Sequence, residues 1–204
     1  MTIEIWNIEN SGRLLKWAIV EVMNTYVVEG IVLKRRNIGE ADRILTILTK
    51  QQGKMQVKAI GVRKISSKRA SHIEPLNHVS MSLYKGKGMP ILTEVATKES
   101  FATLKENLQT IGFAYHLCEL VDGLCPEGQE NIQVFDLLRS VLSDICHTTH
   151  LAERIHEFEV ALLTTLGYWS SQSAELNTSY VIESILERKL KTARMLPKLF
   201  LEKV

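Results

Sequence analysis

Cationic side chains carry most of the chemical potential of this sequence, and they are concentrated in one stretch. Lys34, Arg35 and Arg36 close a β-branched run, Arg43 opens the next, and Lys58 lies in a third. Arg63, Lys64, Lys68 and Arg69 crowd together, and Lys85 and Lys87 flank glycines. Such side chains suit a phosphate backbone, because each phosphate they neutralise releases condensed counterions. A merely solvated charged surface is the competing reading. Residues 23–100 hold 14 Lys/Arg against 6 Asp/Glu, whereas residues 101–204 hold 9 against 14. The net charge of +2 therefore hides a basic segment followed by an acidic one. Charge divided by segment implies two domains with different partners, and the basic one points to a polyanion.

Aromatic content narrows the mode of binding. Proteins that grip single strands usually stack bases on aromatic rings, at about 1–3 kcal/mol per base. Residues 23–100 offer only Tyr26 and Tyr84. Binding is therefore expected through the backbone, indifferent to sequence and tolerant of single and double strands. A protein that holds phosphates leaves base edges free to pair. Contact with about six phosphates lowers affinity roughly a thousandfold between 50 and 200 mM salt. Replacing Arg63, Lys64, Lys68 and Arg69 together with alanine is expected to weaken binding and annealing without unfolding the protein.

Other chemistry finds less support. Cys146-His-Thr-Thr-His150, with His156 nearby, offers metal donors. No second cluster completes a tetrahedron at the usual spacing, so no metal is expected. GxSxG, HExxH and GxxxxGK[ST] are all absent, and Glu40 with Asp42 on a turn is thin support for a two-metal nuclease. No catalytic residue, no enzyme activity and no cofactor are expected. Cys118, Cys125 and Cys146 form no CxxC pair, which fits buried thiols in a reducing compartment.

The cations need elements to position them. Residues 26–33 read as a strand broken by Asn37-Ile-Gly-Glu. Residues 44–49, 55–60, 79–83 and 91–96 read as four more, each by alternation. Gln51-Gln-Gly-Lys and Lys85-Gly-Lys-Gly are turns, and residues 61–71 form a long basic loop. Five short strands without room for crossover helices are best closed into a small barrel. The period then changes. Leu104 to Cys118, Val134 to Ile145 and Leu151 to Leu166 step by three and four, with Gly167 as a C-cap and a fourth helix near Val181 to Leu186. The predicted class is α+β, a barrel over 23–100 followed by an all-helical domain over 101–204.

Residues 1–22 fit neither unit, and Met23 is expected to be the true start, with 1–22 an upstream extension. The best apolar run, residues 14–23, is interrupted by Lys16 and Glu21 and lacks a cleavage site. Neither a signal peptide nor a membrane span is expected, and the cytoplasm, with nucleoid association, is the expected location.

These residues fall into a familiar order. Glu29-Gly-Ile-Val-Leu-Lys-Arg-Arg-Asn-Ile-Gly-Glu-Ala-Asp-Arg-Ile-Leu-Thr, then Gly53-Lys-Met-Gln-Val-Lys-Ala-Ile-Gly-Val-Arg-Lys, resembles the opening of the RecO recombination mediators. Ser67-Lys-Arg-Ala-Ser-His-Ile-Glu-Pro-Leu, Phe158-Glu-Val-Ala-Leu-Leu-Thr-Thr-Leu-Gly-Tyr168 and Lys189-Leu-Lys-Thr-Ala-Arg-Met-Leu continue the likeness. The resemblance implies an N-terminal five-stranded OB-fold and a C-terminal helical domain. It implies binding of single- and double-stranded DNA, strand annealing and partnership with RecR. It also implies docking on the acidic, apolar C-terminal tail of single-stranded-DNA-binding protein, followed by loading of the recombinase RecA. The matching DNA-binding residues are Lys34, Arg35, Arg36, Arg43, Lys58, Arg63, Lys64, Lys68 and Arg69, with Lys85 and Lys87 as extensions. Arg188, Lys189, Lys191 and Arg194 are candidates for holding the acidic tail, with a solvated cationic helix end as the alternative. Many members carry a four-cysteine zinc motif soon after the Leu-Gly-Tyr. Here Trp169-Ser-Ser-Gln-Ser-Ala-Glu-Leu-Asn follows without a cysteine, so a zinc-free member is expected. An OB-fold factor that binds RNA or serves translation is the alternative function, and a metal-dependent nuclease is a third class.

Overall fold

The structure, a computed structural model, describes residues 24–145, 147–148, 150–170 and 177–192. The expectations for residues 1–22 and Met23, Cys146 and Arg194 lie outside the described residues.

Among the described residues five strands come first: β1 Thr25–Ile38, β2 Asp42–Thr49, β3 Gly53–Ala59, β4 His78–Tyr84 and β5 Ile91–Glu99. They close into a barrel in the order β1-β2-β3-β5-β4, the ring of an OB-fold. Every neighbouring pair is antiparallel except β3 and β5, which are parallel and meet at a single register pair, Lys58 with Ile91. β1 is longer than its sequence predicts. A bulge between Val32 and Lys34 lets it bend and pair with β4 on one side and β2 on the other, so Asn37 does not end it. Val28, Val32, Leu45, Ile47, Val57, Met81 and Leu83 fill the barrel, and Val62 and Ile73 from the long loop plug it.

Among the described residues five helices follow: α1 Ala102–Glu106, α2 Leu108–Leu124, α3 Ile132–Asp144, α4 Leu151–Thr165 and α5 Thr178–Leu186. The single helix predicted from Leu104 to Cys118 is two helices. Asn107 is extended and its side chain accepts from the Gln109 amide at 2.8 Å, starting α2 afresh. Asn131 and Asn177 cap α3 and α5 in the same way, at 3.0 and 2.9 Å, as a short side-chain carbonyl does best. α4 ends in a Schellman turn, with Gly167 at φ +80° and the Tyr168 amide on the Leu163 carbonyl.

The helices pack on the outside of the barrel. Ile31, Leu33 and Leu48 point away from the barrel core and join the helical core of Phe113, Leu117, Phe135, Leu138, Phe158 and Leu162. The alternation expected for residues 44–49 is therefore absent: β2 is buried on both faces from Ile44 onward. Among the described residues no helix is long and apolar enough to cross a membrane.

Candidate nucleic-acid interface

Strand register sorts the predicted cations into rows on the outer face of β1, β2 and β3. Lys34, Thr46 and Gln56 form one row. The helical half engages it, although the Lys34 side chain stays 60% exposed: Lys34 pairs with Asp122 at 2.5 Å and Gln56 donates to Glu127 at 2.8 Å. Arg36, Ile44 and Lys58 form the next row, in which Ile44 is buried while Arg36 is exposed and Lys58 half-buried. Two strand spacings put the Arg36 and Lys58 backbones about 10 Å apart on one face.

The long loop is stitched to this row. The Asp42 carboxylate lies 3.4 Å from the Lys58 ammonium and accepts from the Gly61 amide at 2.8 Å. That amide, followed by Lys58, holds the Asp42 carboxyl below its ordinary range. Arg63 donates its amide to the Ala41 carbonyl and its guanidinium to the Gly39 carbonyl. The Lys58 amide bonds the Pro90 carbonyl at 2.8 Å, so the β4–β5 loop also arrives here. Lys58, Arg63, Lys64 and Lys68 are thereby gathered around one corner, where Glu40 and Asp42 are the local acids. Ile60, Gly61, Lys64, Ser66, Ser67, Lys68 and Arg69 line an open depression of about 470 Å³.

Burial and pairing then separate free cations from occupied ones. Arg36, Lys64, Lys68, Lys85 and Lys87 are exposed, and none makes a side-chain hydrogen bond or close ion pair among the described residues, although the Lys64 charge also acts on Asp42. Arg35 and Arg43 share the Glu74 carboxylate, with Arg43 only 16% exposed. Arg69 is a fastener. Its guanidinium donates to the carbonyls of Ile60, Leu92 and Thr93 at 2.9, 2.8 and 3.3 Å. Those bonds bridge β3 and β5 where the ladder has only one pair. Arg69→Ala is expected to cost about 2–4 kcal/mol, since three carbonyls lose a charged donor. Arg69→Lys will not restore it, because an ammonium lacks the fork. Urea denaturation of both variants checks this, and an unchanged midpoint would contradict it. The fourfold alanine replacement at 63, 64, 68 and 69 thus mixes surface cations with a structural one.

The tail-binding candidates divide too. The Arg188 guanidinium donates to Glu119 at 3.0 Å, as do the amides of Lys191 and Thr192, each at 2.9 Å, and the Thr192 hydroxyl. Lys189 and Lys191 remain exposed. Burial pushes the Glu119 carboxyl up, but those donors outweigh it and bring it down to about 2. A carboxyl depressed in the folded state stabilises above its unfolded value and loses that contribution as pH falls through the folded one. Docking of residues 188–192 on α2 is therefore expected to loosen between about pH 4.5 and about pH 2. Protection of the Lys191 and Thr192 amides against hydrogen exchange reports it. Glu119→Gln is expected to remove the acid dependence; its persistence would contradict the assignment.

Cys118 and Cys125 do not suit zinc. Cys118 and Cys125 are buried among apolar side chains, and burial pushes their thiols up to about 12 and about 11. No cysteine stands between residues 169 and 177. Among the described residues no group of three or more His, Cys, Asp or Glu is placed to hold a metal ion.

The architecture is thus a closed five-stranded OB-fold barrel with exposed cations on its loops, packed against a helical half. Family models make this specific. Residues 23–101 match the N-terminal and residues 105–178 the C-terminal domain of recombination protein O. The chain belongs to the RecO family. It is 37% identical over 143 residues to the DNA repair protein RecO of Roseiflexus sp. (strain RS-1), covering 70% of this chain and 50% of that one. It is 34% identical over 157 residues to the protein of the same name from Symbiobacterium thermophilum, covering 74% and 60%. The chain thus spans about half the length of the curated relatives it matches.

Proposed function

We propose that this chain serves DNA repair and homologous recombination as a non-enzymatic mediator. It binds the backbones of single- and double-stranded DNA and promotes pairing of complementary strands. The observation that carries this reading is the pair of exposed cations Lys64 and Lys68 beside one depression of the barrel, with exposed Arg36 on the outer row next to Lys58, in a chain of the RecO family. Among the described residues the depression is lined by no aromatic ring, and its apolar member Ile60 is aliphatic, so contact is by charge and bases stay available to partner strands. Lys85 and Lys87 extend the basic surface along the β4–β5 loop. Lys58, Arg63 and Arg43 stand behind it, supplying field and holding the loop.

The helical half is the protein-binding half of this reading. Its partners are RecR and the acidic tail of single-stranded-DNA-binding protein, and RecA is served indirectly, by handing over cleared DNA. Lys189 and Lys191 are the tail cations in this reading, since Arg188 is held by Glu119. Annealing of complementary strands coated with single-stranded-DNA-binding protein, with and without the chain, tests it. Acceleration that matched RNA competes for poorly supports it. No acceleration, or preference for RNA, contradicts it.

A further inference from the structure

The loop over residues 61–69 carries a feature that phosphate binding does not use. Ile65 at its tip is 107% exposed, the most exposed of the large apolar side chains among the described residues. The loop around it is not slack. Val62 is buried in the barrel core, Gly61 sits at φ +65°, and Arg63 is fixed to the 39–41 turn. The Lys64 amide bonds the Gly61 carbonyl, the Ser67 amide bonds the Lys64 carbonyl, and the Arg69 guanidinium is clamped on three carbonyls. A braced loop thus holds a branched aliphatic group in water between exposed Lys64 and Lys68. A lone exposed apolar residue needs no explanation; one held out by a braced tip with a cation on each side differs. The half-buried Ser67 also lines the depression beside Lys64 and Lys68.

We propose that Ile65 is a wedge that enters between adjacent bases of DNA whose phosphates are held by Lys64 and Lys68, opening the stack at that step. Aliphatic wedges of this kind part base steps in other DNA-bending proteins. The proposal rests on the DNA-binding reading of the same corner. It adds a mechanical action to it: a parted step is easier to melt and to re-pair.

The test uses the full chain and DNA bearing 2-aminopurine at successive positions, whose fluorescence rises on unstacking, with anisotropy measuring affinity on the same samples. Wild-type protein is expected to raise the fluorescence on binding. Ile65→Ala is expected to bind within about threefold of wild type, since burying the side chain and unstacking the step offset each other, yet to leave the fluorescence at the free-DNA level. Ile65→Leu should restore the rise. Binding without a rise in wild type, or an equal rise with Ile65→Ala, overturns the wedge and leaves backbone binding standing. Absence of binding by anisotropy overturns both. Sedimentation with phosphatidylglycerol vesicles that depends on Ile65, with no fluorescence change on DNA, assigns the tip to membranes and overturns the wedge.

Discussion

Replacing Arg36, Lys64 and Lys68 together with alanine is expected to lower affinity for random-sequence duplex DNA several hundredfold at about 0.1 M salt. Each phosphate neutralised on B-DNA contributes about 0.9 to the salt exponent, so three lost contacts remove about 2.7 decades at that concentration. These residues are chosen by structure rather than by charge alone. Each is exposed and makes no side-chain hydrogen bond or close ion pair among the described residues. Truncating them leaves no buried acceptor unsatisfied, and stability should stay within about 0.5 kcal/mol, as for ordinary surface changes. Anisotropy titration and thermal melting check the two halves of the expectation. Wild-type affinity in the triple variant would move the interface elsewhere. A control set, Arg35 and Arg43, should behave oppositely: these share Glu74, so their loss disturbs the fold more than the affinity.

A second large effect is expected at a residue with no chemistry of its own. Gly53 opens β3 at φ +66°, and a Cβ there would lie 1.8 Å from the Gln129 carbonyl oxygen. The loop it would strike is the bracket between the halves. Its Gly128 amide bonds the Lys54 carbonyl at 2.8 Å, and its Glu127 accepts from Gln56. Lys54 is nearly buried, and its ammonium is held by the Asp122 carbonyl at the end of α2. Gly53→Ala therefore combines a left-handed backbone with a backbone clash, and a loss of about 3 kcal/mol or more is expected. Ile31, Leu33 and Leu48 would lose cover as the bracket lifts, so increased binding of a hydrophobic dye should accompany the fall in melting temperature. A near-neutral Gly53→Ala would mean that the bracket does not hold the halves together.

Much of this architecture was legible in the residues, and the exceptions have physical causes. Period-two runs and turn glycines located all five strands, and closing a barrel was the way to satisfy their edges. Apolar periods located the helices but not their asparagine caps: Leu104 and Leu108 keep the helical period across Asn107, which hides the break between α1 and α2. Residues 44–49 misled for a different reason. A strand covered on both faces carries no face-to-face contrast, and what covers β2 is sequence-distant helix. The cation list was legible as a list only. Arg69 lies in the same run as Lys64 and Lys68, yet the thinness of the β3–β5 ladder, a tertiary property, turns it into a fastener. Lys34 beside Arg36 likewise meets Asp122, 88 positions away. Ile65 had a sequence signal, an isoleucine inside a basic, serine-bearing loop, whose exposure only the folded loop reveals.

The central claim is attraction of a polyanion by charge rather than by reading bases. Affinity measured against salt, for two unrelated duplexes and their single strands, tests it most directly. If Arg36, Lys64, Lys68, Lys85 and Lys87 each take one phosphate, the logarithmic slope is about −4.5 for duplex and about −3.5 for single strands, the same for both sequences. A flat slope, or slopes that differ between the two sequences, would contradict it.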